Sequence, residues 1–409
     1  MKIKIVLAAV LAVIMSGCVG MPDSDGWRSS QKNDFLKILS TDKYASICDQ
    51  QALYKKAKES RSSQLMSRLL VGYTKNLANG CIVDASLKVQ EDSGVVTGYG
   101  TYPQKVSESD IQNRIKAGQS IEEILKPYVP DYRQFNALIK HYNALKKAGN
   151  ASPELLNSVR LSIERVKLMK PGLGDTYVLV NIPEYEIRVI EDDKTSVKMR
   201  VIVGTRKNKT PVFSENLQYI TLNPTWNVPD SIARNEIIPA TLKNRGYLKK
   251  HRLVIRKDYN LKSPALSFNS VNARAYKGGK GLVPFKFIEV PSDRNALGRV
   301  KFIFPNHHSV YMHDTPTKHL FKRKTRSYSH GCVRLEQPKY MLEYISKNYT
   351  AHDYADVQNK YDSYKTHYLK VIKPLPVHTA YLTTYVDQNG KLLIFPDIYS
   401  YNKAHKLNF

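Results

Sequence analysis

The sequence predicts an α+β chain: a helical N-terminal region over 31–170, a mainly β domain over 171–348 and a Tyr-rich extension over 349–409. Two patterns carry that division. Before Lys170, Tyr132, Phe135, Leu138, Ile139, Tyr142 and Leu145 recur at helical spacing, and Leu155, Val159, Ile163 and Val166 form a second stripe. From Gly174 the texture changes to short runs rich in Val and Ile, which read as strands. With 42% hydrophobic and 24% charged residues, and 20 Gly and 20 Pro in 409, the composition is globular, which excludes collagen-like and wholly disordered chains.

The N-terminus reads as an export signal. Lys2 and Lys4 precede an apolar run from Ile5 to Ile14, followed by Met15-Ser16-Gly17-Cys18. Ten residues rise only about 15 Å as a helix, too short for a hydrocarbon core of roughly 30 Å. The segment is therefore a cleaved signal over 1–17. Its end resembles a bacterial lipobox, which implies lipidation of Cys18 and a membrane anchor. Val19 in turn implies the outer membrane, with residues 18–30 as a tether. An ordinary signal peptide cut nearby is the alternative. Either reading removes nucleic acid as the partner of a chain with a formal net charge of +27, leaving acidic cell wall or anionic lipid.

The elements follow in order. Ser120 with Glu123 is a capping box. Asp131 is placed as the N-cap of the first striped helix, and Gly149 ends it. Ser152-Pro153 opens the second, and Pro171-Gly172 stops it. Strands are placed at Tyr177–Ile182, Glu186–Ile190, Val197–Val203, Gln218–Leu222, Val300–Phe304 and Ser309–Met312. A helix opens at Pro338 and carries Leu342 and Ile345. A C-terminal β-hairpin joins His378–Val386 to Lys391–Phe395 around Asn389-Gly390.

Export places the chain where disulfides persist. Cys48 and Cys81 are the economical pair, the alternative being two buried thiols, and Cys332 remains a single thiol that needs a reason to exist. The reason lies around it. Val310-Tyr311-Met312-His313-Asp314 is followed, fifteen residues after His313, by Ser329-His330-Gly331-Cys332-Val333-Arg334. A thiol attacks carbonyls as thiolate, and a neighbouring imidazole can take its proton. The Gly331 and Cys332 N–H groups are candidates to receive an oxyanion.

This pattern resembles the signature of the L,D-transpeptidases, the YkuD family of peptidoglycan cross-linking enzymes. Tyr177–Pro183, Asn223–Pro229 and Asn295–Phe302 add likeness to the larger Gram-negative branch. That implies a β-sandwich-like catalytic domain with an inserted cap over about 230–290. It further implies that Cys332 attacks the diaminopimelate carbonyl of a tetrapeptide stem, expels D-Ala and forms a thioester that an amine resolves. By the same resemblance His313 is the base and His330 a second, pocket-shaping histidine. Ser329 and the Asp314 carbonyl would orient the imidazoles, and Arg334 would face a stem carboxylate. Tyr311 and Trp226 line the site or pack in the core. No cofactor or metal is expected, the partners are peptidoglycan stems, and the chain is expected to be a monomer.

Two cationic clusters accompany the motif: Lys318, Lys322, Arg323, Lys324 and Arg326 before it, and Arg245, Lys249, Lys250, Arg252, Arg256 and Lys257 in the expected cap. They read as a rim for anionic stems or as solvated faces. Two rival functions stand beside the transferase. A metallopeptidase could use His307, His308, His313, His319 and His330, although no metal-binding spacing accompanies them. A non-catalytic wall-binding lipoprotein would need no working thiol. Among acyl acceptors, cross-linking is favoured over lipoprotein attachment, D-amino-acid exchange and L,D-carboxypeptidase cleavage.

Overall fold

The computed structural model describes residues 25–87, 98–172 and 174–409. The signal and Cys18 lie outside the described residues. The chain divides into two compact units, one taking it to Cys81 with Pro103–Pro130 and Leu407–Phe409, the other Ile82–Tyr102 with Asp131–Lys406.

The first unit is helical, built on Ser29–Ser40, Gln51–Ser60, Ser63–Asn79, Glu108–Lys116 and Ile121–Leu125. Phe35, Leu39, Leu69, Tyr73 and Ile115 are buried. Trp27 is buried as well, 6.3 Å from the Phe35 ring, and its indole N–H donates to Ser67 Oγ at 2.8 Å. Its anchoring ends any free tether ahead of residue 30. Cys48 and Cys81 are bridged, with Cα atoms 6.2 Å apart. Ser120 and Glu123 form a reciprocal capping box.

In the second unit the helical hairpin Arg133–Ala148 and Pro153–Lys167 precedes the strands. Tyr132, not Asp131, occupies the first N-cap, and Gly149 closes that helix in the left-handed region at φ 68°. Ser152 caps the second helix on the Leu155 N–H. This hairpin belongs with the β-rich unit rather than with the N-terminal helices, because Gln134 exchanges hydrogen bonds of 2.8 Å with both backbone groups of Val386. Ser162 Oγ likewise accepts from the Thr384 N–H.

The strands in chain order begin with β1 (Thr176–Asn181), β2 (Glu186–Glu191), β3 (Lys194–Gly204), β4 (Phe213–Asn216) and β5 (Tyr219–Leu222). Then come β6 (Trp226–Asn227), β7 (Leu253–Arg256), β8 (Ala265–Leu266) and β9 (Lys286–Glu289). They continue with β10 (Val300–Ile303), β11 (Met312–His313), β12 (Ser327–Ser329) and β13 (Val333–Leu335). The last are β14 (His367–Lys370), β15 (Pro376–Ala380), β16 (Thr384–Val386) and β17 (Leu392–Ile394).

An eleven-stranded sheet runs β14-β5-β10-β11-β13-β3-β2-β1-β15-β4, with β12 also on β3. Residues 349–409 are therefore not an appendage, since β14 and β15 are integral to that sheet. The expected strand His378–Val386 is broken for a reason. Asn181 grips Leu382, accepting from its N–H and donating to its carbonyl, so β15 stays on β1 while β16 leaves to pair with β17. The insertion is a separate four-stranded sheet, β6-β9-β7-β8, with its own apolar core around Ile237, Ile238, Ile255 and Phe287.

Candidate functional site

Three neighbouring strands build the site. On β10 and β11, Lys301 stands opposite His313, and on β11 and β13 His313 stands beside Arg334. Strand side chains alternate between faces. Phe302, Met312 and Val333 are fully buried in the core, so Lys301, His313 and Arg334 share the opposite face. Tyr311 and Cys332, each two residues back along the chain, open on the same side. These residues line a cavity of about 560 Å³ together with Trp226, Ser309, Ser329 and His330, and with Glu236 from the insertion.

His313 is 4% exposed, and its Nδ1 meets the Asp314 carbonyl at 2.5 Å. A carbonyl only accepts, so Nδ1 carries the proton and Nε2 keeps its lone pair. Burial, and then the charges of Arg334 and Lys301, push the imidazole pKa down to about 3, although the Asp314 and Leu297 carbonyls favour the protonated ring. The resting ring is therefore neutral. Asp314 is itself immobilised: its carboxylate accepts from the Arg299 and Thr315 N–H groups and pairs with Lys318 at 2.7 Å. Gly298 makes room for it, because a Cβ there would lie 2.3 Å from an Asp314 oxygen, at a backbone φ of +59°.

Cys332 is unbridged and partly exposed. Its sulfur lies 3.9 Å from the Ser309 carbonyl, and among the described residues no hydrogen bond joins it to the His313 ring. Burial raises its pKa, while hydrogen bonds from Tyr311 and the charges of Lys301 and Arg334 pull the other way. The net rise leaves a thiol beside a neutral imidazole, not a preformed ion pair. Thiolate ultraviolet absorbance of the free protein should accordingly be negligible at neutral pH and grow only in the alkaline range. A full thiolate signal at neutral pH would contradict this resting state.

The thiol's loop is tightly braced. Ser329 Oγ donates to the Cys332 carbonyl at 2.6 Å and accepts from the Gly331 N–H at 3.1 Å, and the Gly331 carbonyl accepts from Thr210 Oγ1 at 2.8 Å. Gly331 sits at φ +116°, where other residues are strained. Two sequence expectations are corrected here. Ser329 holds the loop, and among the described residues its hydroxyl makes no hydrogen bond to an imidazole. The Gly331 N–H is committed to Ser329, so it does not serve as an oxyanion donor.

His330 is exposed and reaches across the cavity, its Nε2 lying 2.7 Å from Glu236 Oε1. Glu236 lies on Ala233–Ile237, a π-helical turn within the insertion, and the His330 hydrogen bond lowers its pKa. Trp226 and Tyr311 line the cavity, and Trp226 packs against the insertion's apolar core as well. The cationic loop is only partly a free rim. Lys318 is tied to Asp314 and to the Leu335 and Glu336 carbonyls, and Arg326 to the carbonyls of Val201, Arg323 and Tyr185. Among the described residues the five histidines do not converge into a three-ligand cluster.

Residues 175–357 match the YkuD family, described as an L,D-transpeptidase catalytic domain. By that match the region resembles an L,D-transpeptidase catalytic domain of the YkuD family. A candidate L,D-transpeptidase of Haemophilus influenzae is 29% identical over 232 residues, 56% of this chain and 45% of its own length. The chain thus spans less than half of that relative. Among solved structures, the Enterococcus faecium L,D-transpeptidase is 12% identical with a TM-score of 0.27, covering 76% of this chain and 82% of its own. A Mycobacterium smegmatis L,D-transpeptidase is 14% identical with a TM-score of 0.24, covering 50% and 58%.

Lys301, Asn306 and Glu236 escaped sequence reasoning. Lys301 lies in the Asn295–Phe302 block but drew no role of its own until strand register placed it opposite His313. Asn306 donates to the Phe304 and Val310 carbonyls and accepts from the His308 and Val310 N–H groups, shaping the loop that carries Ser309. Its position in a Pro-Asn turn ahead of Tyr311 was the available clue.

Proposed function

We propose that this domain is a transpeptidase working by cysteine acyl transfer on peptidoglycan tetrapeptide stems. The observation that carries the reading is a neutral, buried imidazole, held through Nδ1, lining the same cavity as the unbridged Cys332 thiol. Sγ bonds to the diaminopimelate carbonyl carbon while His313 Nε2 receives the thiol proton. The Cys332 N–H is the remaining backbone candidate for the oxyanion. The C–N bond then breaks, the proton passes from His313 to the departing amine, and D-Ala leaves. An acceptor amine attacks the thioester next, His313 takes its proton, and the thiol is regenerated as a new amide forms.

Cross-linking of a second stem is the proposed outcome, on the periplasmic side of a lipid anchor at Cys18. The positive charge of the cationic loop and insertion favours anionic stems electrostatically. Incubating purified protein with disaccharide tetrapeptide tests the reading. Release of D-Ala with appearance of tetrapeptide-to-tripeptide dimers is expected. Tripeptide alone would replace cross-linking by carboxypeptidase cleavage, and unchanged tetrapeptide would overturn the reading.

A further inference from the structure

The cavity holds more positive charge than its own carboxylates balance. Lys301 is half-buried on its wall, its Nζ 3.8 Å from the centre of the Tyr311 ring, and among the described residues no carboxylate pairs with it. Arg334, on the far side of His313, donates from Nη1 to Thr317 Oγ1 at 3.4 Å, and its buried Nε has no partner. Among the described residues lining the cavity, Glu236 is the one carboxylate, and His330 already holds it. Asp314 is occupied by Lys318 and two backbone N–H groups. A partly desolvated ammonium without a counter-ion is costly to keep, and an anionic ligand would offset that cost.

The proposed reaction supplies such a ligand at the right place. A donor whose leaving group is a terminal amino acid carries a carboxylate two bonds beyond the scissile nitrogen. With its carbonyl at the Cys332 sulfur, that carboxylate must fall close by on the cavity wall. Strand pairing fixes both cations from two sides, Lys301 through Thr221 and His313, and Arg334 through His313 and Ile202, and of the two it is Lys301 whose charged head makes no hydrogen bond among the described residues.

We propose that Lys301 is the donor-recognition residue that binds the carboxylate of the departing amino acid, restricting the enzyme to stems ending in a free acid one residue beyond the scissile bond. This rests on the transpeptidase reading above. Ion pairing there positions the amide and places a fixed positive charge beside the bond being broken. A neutral terminus gains neither effect.

The test compares two donors, the tetrapeptide free acid and its C-terminal amide, by release of alanine or alaninamide. Wild type should favour the acid in kcat/KM by roughly 10- to 100-fold, the scale of one charge-assisted hydrogen bond. Lys301→Met should erase most of that preference, chiefly through a higher KM for the acid, and Lys301→Arg should keep much of it. A merely structural lysine would lower turnover of both donors alike. Turnover by Lys301→Met with wild-type discrimination, or no preference in wild type, overturns the proposal alone. Failure of wild type to turn over either donor overturns the function with it.

Discussion

Cys332→Ser is expected to reduce D-Ala release from tetrapeptide by at least about 10³-fold while the protein stays folded. The reasoning starts from the imidazole. A ring whose pKa is pushed down to about 3 is a weak base. It can assist a thiol, whose own pKa is moderate and whose sulfur is intrinsically nucleophilic, but it cannot draw a proton from an alcohol at a useful rate. Serine preserves the shape of the loop. The Ser329–Gly331–Cys332 bracing uses backbone groups and the Ser329 hydroxyl, none of which the substitution removes. Thermal melting should therefore move little, which separates lost chemistry from lost fold. Wild-type-like turnover by the serine variant would remove Cys332 from the mechanism.

His313→Gln should cost about 10²- to 10⁴-fold in kcat/KM, the usual range for a positioned acid–base group. Glutamine retains a donor for the Asp314 carbonyl but has no group that accepts and returns a proton. The pH dependence sharpens the test. His313 is neutral above its depressed pKa of about 3, so wild-type activity should hold well below the ordinary imidazole range as pH falls. In the variant, the rate should instead climb with pH as the raised Cys332 thiol ionises unaided. An acid limb centred on the ordinary imidazole range would mean that the ring is not desolvated in solution.

Much of the catalytic segment was readable because its chemistry is local. The spacing from His313 to Ser329-His330-Gly331-Cys332 names the thiol and imidazole without any knowledge of strand order. What escaped depends on pairing over long distances. Lys301 looks like an ordinary exposed strand lysine until β10 sets it against His313. Glu236 lies 94 residues from His330, and nothing in its helical surroundings marks it as a partner. The Gly331 N–H was misassigned because glycine's freedom says that the backbone can approach a ligand, not which acceptor it meets first. The same limit explains the unit boundary. The stripes of Arg133–Ala148 and Pro153–Lys167 announce helices, but only the Gln134–Val386 hydrogen bonds assign them to the β-rich unit. One local signal did carry a long-range break: Asn181 on β1 fastens Leu382 and ends β15, yet an asparagine in a strand has too many other uses to be read that way in advance.

The most direct measurement is peptide mapping by mass spectrometry after a brief, acid-quenched incubation of the protein with tetrapeptide donor. The expected result is a tripeptidyl group carried on the peptide containing Cys332, released by hydroxylamine and missing from Cys332→Ser. Continued D-Ala release with that peptide always unmodified, or with the acyl group on another residue, would contradict nucleophilic attack by this sulfur.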